Sequence, residues 1–271
     1  MDAPGDALAA INDNGYCIIR NLYPVDLLAT LLENITSQKL ATGDGKGIPR
    51  LNAGSDIIYS PFVENKQFFD LFRQPAVDSI LRACLNDPYY KGLDGRPNYT
   101  LRSMICRSSK DALPWHIDSF FPYEGPNIIS MQVIIPLEPF TASNGPTLLI
   151  PASHRSGIYA PQSYPTTTEI IEINVEPGDV ILWDARIWHA ARENASGRSR
   201  WSVIATFTRW WIKQNYQYLQ LIREAAQINA FSDDDLIILG GASAVPYSHR
   251  ERVDVKGGLE QIAAVRSQLA G

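Results

Sequence analysis

Between residues 99 and 208 the chain breaks into short β-type runs: "YTLRSMICR", "NIISMQVIIPL", "TLLIP", "EIIEINV", "DVILWD" and "RWSVIATFT". Turn formers separate them, among them Pro122, Gly125-Pro126, Asn144-Gly145-Pro146, Pro151 and Pro177-Gly178. Several short, evenly spaced strands with turn chemistry and no helix between them predict an antiparallel sandwich or barrel. The fold class expected is therefore mainly β with flanking helices.

The flanks carry the helical period. Pro24 suits a first helical turn, and Leu28, Leu31, Leu32 and Ile35 then share one apolar face. Pro75 repeats the arrangement with Val77, Ile80, Leu81, Cys84 and Leu85. After the strands, "WIKQNYQYLQLIREAAQINA" reads as a helix, and Ser232 with Asp235 forms a capping-box pattern before a short one. The stretch 240–258 has no clear period. No repeat or low-complexity linker divides the chain, so one domain over 1–271 is expected. Residues 1–98 form a helical part packing on the barrel, 99–211 the core, and 212–271 helices and tail.

Composition narrows the function. At 271 residues, 45% hydrophobic and 10% aromatic, the chain has enough apolar matter for a sizeable core. A net charge of -5 with no Lys/Arg-rich run removes the attraction on which nucleic-acid or anionic-membrane binding depends. No apolar run approaches a membrane span, and "MDAPGDALAA" lacks the basic start and apolar stretch of a signal peptide. Cys17, Cys84 and Cys106 are scattered and odd in number, as expected of buried thiols in a reducing compartment. The expectation is a cytoplasmic protein whose partner is a small molecule; whether it is a monomer or a homodimer is left open.

The chemistry concentrates at "PWHIDSF". His116 and Asp118, two positions apart, project from one strand face and can offer a nitrogen and a carboxylate oxygen to one ion. Taken alone, such a pair is more often a polar strand edge. His189 supplies a third ligand, and two histidines with one carboxylate are the set that holds non-haem Fe(II). Arg200 follows His189 by 11 residues across the turn-like "ENASG". A hairpin centred there sets Arg200 nearly opposite His189, with Cβ atoms about 5 Å apart. A guanidinium fork pairs with a carboxylate, and Ser202 on the same strand face adds a hydroxyl. The pattern suits a small dicarboxylate reaching the metal with one end and Arg200 with the other. Arg198 is the competing partner, at a less favourable spacing.

The order Trp115-His116-Ile117-Asp118, then "NGPTLLIPASHRSG", then "EPGDVILWDARIWHAARENASGRSR" resembles the phytanoyl-CoA dioxygenase family of Fe(II)/2-oxoglutarate oxygenases. "LAAINDNGYCIIRNLYPVDLLATLL", around Gly15 and Tyr16, is similar to that family's opening helix and strand, and the likeness covers roughly residues 7 to 211. It implies a double-stranded β-helix, a cupin-like jelly roll, with His116, Asp118 and His189 as iron ligands. It implies Arg200 as partner of the distal carboxylate of 2-oxoglutarate. It also implies the reaction: O2 is consumed, 2-oxoglutarate goes to succinate and CO2, and a substrate C–H bond is oxidised by hydroxylation, desaturation or a related outcome. Halogenating relatives carry a small residue where Asp118 stands, so halogenation is not expected.

The remaining residues divide between roles. Gln132 and Ser130 share a strand face, and Gln132 is a candidate hydrogen-bond donor to the cosubstrate. His154 reads as a structural turn residue and His249 as a solvated one. Trp115, Phe120, Phe121, Tyr123, Trp188, Trp210 and Trp211 crowd the motifs, mostly as core. Phe120, Phe121, Tyr59 and Trp210 are the substrate candidates, and "FPYEGP" with the segment around Tyr59 is expected to form a lid. These surroundings suit an apolar or secondary metabolite. A cupin-like isomerase, a non-catalytic jelly-roll binder and a zinc hydrolase remain as alternatives. Arg200 with Ser202 argues against the first two, because a site without 2-oxoglutarate needs no buried cation there. The missing zinc-hydrolase helix motif argues against the third.

Overall fold

A computed structural model describes residues 4–41, 55–89, 95–163, 165, 169–243, 263, 266 and 267. His249 and most of the 240–258 stretch lie outside them. The chain packs as two compact units, Met1–Pro61 with Met104–Ala205, and Phe62–Ser103 with Thr206–Gly271.

The first unit opens with helix α1 (Pro4–Asn14), strand β1 (Tyr16–Ile19) and helix α2 (Val25–Ala41). Gly15 joins α1 to β1 at φ +87, where a Cβ would lie 2.6 Å from His154 Nδ1, so both backbone angle and space demand glycine. α2 starts one residue after Pro24 and buries Leu28, Leu31 and Ile35, with Leu32 half-buried on the flank of that stripe. Strand β2 (Ser55–Tyr59) follows, then β3 (Tyr99–Ser109), β4 (Leu113–His116), β5 (Ser130–Pro136), β6 (Thr147–Leu149), β7 (Ile171–Ile173), β8 (Val180–Asp184), β9 (His189–Ala191) and β10 (Trp201–Arg209). All six β-type runs read from the sequence are strands.

They form two sheets, one ordered β1-β8-β5-β10-β3-β2 and the other β4-β9-β6-β7. The pairings β1·β8, β2·β3, β4·β9, β5·β8, β6·β7 and β6·β9 are all antiparallel. This is the double-stranded β-helix, a jelly-roll core. Ile134, Phe140, Leu149, Ile173, Val175, Ile181, Trp183 and Ile187 pack together from both sheets. Burying such a set is the main stabilising term, at about 1.5–3 kcal/mol for each large apolar side chain.

The second unit holds short helix α3 (Gln67–Asp70) and α4 (Pro75–Leu85), with proline in the first turn and Val77, Ile80, Leu81 and Leu85 buried. Further on, α5 (Tyr218–Glu224) and α6 (Asp233–Ile238) complete it, and the Ser232–Asp235 capping box is formed. Arg73 reaches Asp235 at 2.9 Å and also pairs with Asp78, tying α4 to α6. The long helix expected over 211–230 shrinks to α5 plus a 3-10 turn at Ile228–Ala230. Non-local hydrogen bonds decide this: Gln214 Nε2 donates to the Leu101 carbonyl, while the Asn215 N–H and Tyr218 hydroxyl both donate to the Arg102 carbonyl. Ala226, at φ 55, ends α5. No described helix is long and apolar enough to cross a membrane.

Candidate metal centre and cosubstrate cavity

β4 ends at His116 and β9 begins at His189, and the two residues are directly paired across the strands. Their rings stand 4.1 Å apart between centroids. Asp118, just past β4, is held by main chain: its N–H and that of Ser119 both donate to the Ala185 carbonyl, at 2.8 and 2.9 Å. Its carboxylate lies 3.8 Å from His116 Nε2 through Oδ1 and 3.4 Å from His189 Nε2 through Oδ2. One ligand atom from each of the three falls within 4.8 Å of the others.

The tautomers suit a metal. His116 Nδ1 faces the Pro114 carbonyl at 2.8 Å and His189 Nδ1 the Ile187 carbonyl at 3.1 Å, which leaves both Nε2 atoms aimed at the gap. Burial lowers the His189 pKa to about 4 and His116 adds to that, against the opposing pull of Asp118. The neutral imidazole is the ligating form. Gln132 Nε2 donates to Asp118 Oδ2 at 3.0 Å, so its amide orients the carboxylate. That role was not foreseen from sequence.

The three candidate ligand residues open on a cavity of about 220 Å³ whose lining comes from both sheets, including Arg107, Gln132, Phe140, Thr147, Trp183, Arg200 and Ser202. Arg200 is 7% exposed. Its guanidinium stacks 4.4 Å over the Phe140 ring and one NH2 group donates to the Gly145 carbonyl, while Nε is buried with no partner among the described residues. Burial, then the charge of Arg107, lowers its pKa to about 10, so it stays cationic at neutral pH. Gly145 must be glycine: at φ +81 a Cβ would meet the Arg192 carbonyl at 2.7 Å.

The route by which Arg200 arrives differs from the expected hairpin. β9 lies in the four-stranded sheet and β10 in the six-stranded one, so Arg200 does not face His189 across paired strands. It enters the cavity from the opposite sheet, where the two layers bring side chains together that no turn relates. Arg198 sits in the turn 194–198, its carbonyl accepting from Asn194 Nδ2, and does not line the cavity. Ser202 is buried and lines it; Ser130 is buried and does not. His154 is the structural turn residue expected, with Nε2 3.2 Å from the Asn12 carbonyl.

Phe120, Phe121 and Tyr59 are 67%, 52% and 39% exposed and stand outside the cavity lining. Trp210 belongs to the second unit, its indole donating to Asp87 at 3.1 Å. The loop after Asp118 is anchored rather than loose. Arg186, paired with Asp184 at 2.6 Å, donates to the carbonyls of Gly125 and Tyr123 and stacks 4.2 Å over the Tyr123 ring. The sequence reading missed Arg107, whose signal was a cation in step with Ile105 and Ser109 on an alternating strand.

A jelly roll that gathers two histidines and a carboxylate at a cavity, with a buried cation on the opposite wall, defines the class of non-haem Fe(II) oxygenases. Residues 11–202 match the family model of phytanoyl-CoA dioxygenase, and the chain belongs to that family. It is an Fe(II)/2-oxoglutarate-dependent oxygenase, with iron as cofactor and 2-oxoglutarate and O2 as cosubstrates. Among its relatives, an uncharacterized protein of Mycobacterium tuberculosis is 27% identical over 228 residues, covering 80% of this chain and 79% of the relative. The iron/alpha-ketoglutarate-dependent dioxygenase ausO of Aspergillus calidoustus is 26% identical over 201 residues, covering 68% and 65%. The crystal structure of EctD from S. alaskensis with 2-oxoglutarate and 5-hydroxyectoine superposes with a TM-score of 0.58 at 19% identity, over 76% of this chain and 77% of that one.

Proposed function

We propose that this enzyme oxidises a C–H bond of a small, largely apolar organic molecule, by hydroxylation, desaturation or a related outcome. His116, Asp118 and His189 hold the iron, and Arg200 with Ser202 receives the distal carboxylate of 2-oxoglutarate. The observation that carries this reading is the pairing, in one cavity, of the three-ligand cluster with a buried guanidinium whose Nε has no partner among the described residues. Such a cation is costly to bury without an anion to meet it.

With 2-oxoglutarate and O2, the iron supplies the oxidising chemistry, 2-oxoglutarate being converted to succinate and CO2 as the substrate is oxidised. The chain's own residues do the positioning. The Nδ1 contacts to the Pro114 and Ile187 carbonyls fix both imidazoles, and Gln132 sets the rotation of the Asp118 carboxylate. Phe140 and the Gly145 carbonyl hold the Arg200 fork flat for a two-point contact. Phe120 and Phe121, in the loop that follows Asp118 and outside the cavity lining, offer exposed apolar surface to the substrate at the loop. Small organic molecules also figure in the names of similar structures, as 5-hydroxyectoine does for EctD.

Anaerobic addition of Fe(II) and then 2-oxoglutarate tests the reading. A visible metal-to-ligand charge-transfer band is expected in the wild type and is lost in His189→Ala. A wild type that binds Fe(II) but gives no band with 2-oxoglutarate would overturn it.

A further inference from the structure

Gln132 on β5 and Trp183 on β8 are directly paired across the two strands, so their side chains project from one face of the six-stranded sheet, and both line the metal cavity. Gln132 reaches Asp118. Trp183 meets His189: the ring centroids lie 4.9 Å apart with the planes tilted by 45°. Two of the three candidate metal ligands, one on β9 and one just past β4, therefore rest on a single cross-strand pair of the other sheet.

The contact at His189 is suited to holding an imidazole still. The Ile187 carbonyl at Nδ1 sets the tautomer, but one hydrogen bond alone does not fix how the ring is turned. Packing does that, from Trp183 and from His116, whose ring centroid lies 4.1 Å away. Trp183 is itself fixed. It is 2% exposed, it is paired with Tyr16 on β1 as well as with Gln132, and it belongs to the core cluster with Ile134, Phe140, Leu149 and Ile181. Its indole N–H is buried with no partner among the described residues, so no polar contact accounts for an indole there. What the residue brings to the site is the aromatic ring.

We propose that Trp183 is a positioning residue for metal binding: its ring holds the His189 imidazole with Nε2 aimed at the ion, as Gln132 holds the Asp118 carboxylate. The inference rests on the reading of His189 as a metal ligand. It makes the β5–β8 ladder the template for two ligands that the other sheet carries, so a change at Trp183 is felt in metal affinity and coordination geometry and not in stability alone.

Cobalt(II) is the probe, because its visible absorption reports coordination geometry and requires no turnover. The full-length apo-protein is titrated anaerobically with Co(II) as wild type, Trp183→Leu and Trp183→Phe, with far-UV circular dichroism recorded in parallel. Trp183→Leu is expected to weaken Co(II) about 10–100-fold, the range for partners that orient a metal ligand, and to alter the visible band pattern of the bound ion. Trp183→Phe keeps an aromatic ring against His189 and is expected to recover most of the affinity and the wild-type band pattern. A folded Trp183→Leu with wild-type affinity and spectrum overturns the proposal, as does a Trp183→Phe that loses as much as Trp183→Leu. A second measurement does not depend on leucine being tolerated. In protein labelled with 5-fluorotryptophan, the 19F resonance of Trp183, assigned by its absence from Trp183→Phe, is expected to shift on addition of diamagnetic Zn(II), which the same ligand types hold. A resonance unmoved at saturating Zn(II) overturns the proposal equally. A wild type that binds no Co(II), or a His189→Ala variant that binds it as tightly as the wild type, sinks the reading of the ligand set instead, so the two failures are distinct.

Discussion

Gln132 on β5 donates from Nε2 to Asp118 Oδ2 at 3.0 Å, linking a strand of the six-stranded sheet to the carboxylate that follows β4 of the other. The hydrogen bond orients a candidate metal ligand. Removing such a partner typically weakens metal affinity about 10–100-fold. Gln132→Leu is accordingly expected to raise the dissociation constant for Fe(II) or Ni(II) by that order, measured by anaerobic titration, while far-UV circular dichroism stays unchanged. An unaltered metal affinity would show that Asp118 holds its orientation without Gln132.

Arg200 is the second test. Truncating one member of a buried, hydrogen-bonded charge pair costs about 2–5 kcal/mol, or roughly 30-fold to several thousandfold in affinity. Arg200→Met should raise the dissociation constant for 2-oxoglutarate within that range and leave Fe(II) binding nearly intact. Arg200→Lys keeps the charge but loses the planar fork, and should fall between. A variant binding 2-oxoglutarate as tightly as the wild type would move the cosubstrate anchor elsewhere.

The Asp184–Arg186 pair is buried, at 0% and 3% exposure, and holds the loop after Asp118 through the Tyr123 and Gly125 carbonyls. Breaking one side of a buried pair costs about 3–5 kcal/mol. Arg186→Met should lower the melting temperature markedly and open the 121–126 segment to limited proteolysis. Unchanged proteolysis would mean that the loop is held by its other contacts.

Acid stability should report on Asp179. Burial raises its pKa, but the N–H groups of Glu176 and Asn21 and the Arg20 guanidinium outweigh this, so the folded value lies below the ordinary 3.8. A carboxyl depressed on folding stabilises the native state fully above its unfolded pKa, and that contribution is lost as pH falls through the folded value. Chemical-denaturation stability should therefore decline below about pH 3.8 with a component that Asp179→Asn removes. A wild type and variant with the same pH slope in that window would refute the assignment.

Local rules set what lies within a few positions: short β-type runs bounded by turn formers gave β3, β5, β6, β7, β8 and β10, and Ser232 with Asp235 gave the α6 cap. They also put His116 and Asp118 near each other, but on one strand face, whereas β4 ends at His116 and Asp118 is set beyond it by the Ala185 carbonyl. The same rules failed at 211–217, where donors spend themselves on the Leu101 and Arg102 carbonyls instead of on the next helical turn. Propensity cannot register a competitor more than a hundred residues away.

Residue types and spacing singled out three side chains able to hold a metal and a cation able to meet a carboxylate, because few side chains hold iron or meet a carboxylate. Tertiary structure alone decided how they meet. His189 faces His116 because β9 pairs with β4, and Arg200 reaches the cavity from the other sheet, not across the turn that precedes it in the chain. Gln132 was expected at the site as a donor to the cosubstrate, and only the tertiary structure turns its amide onto Asp118; Arg107 enters the cavity lining for the same reason. Strand pairing is long-range, and which face of which sheet closes over a cavity is fixed by the burial of Ile134, Phe140, Leu149 and Trp183 together, a sum over distant residues that no short stretch contains.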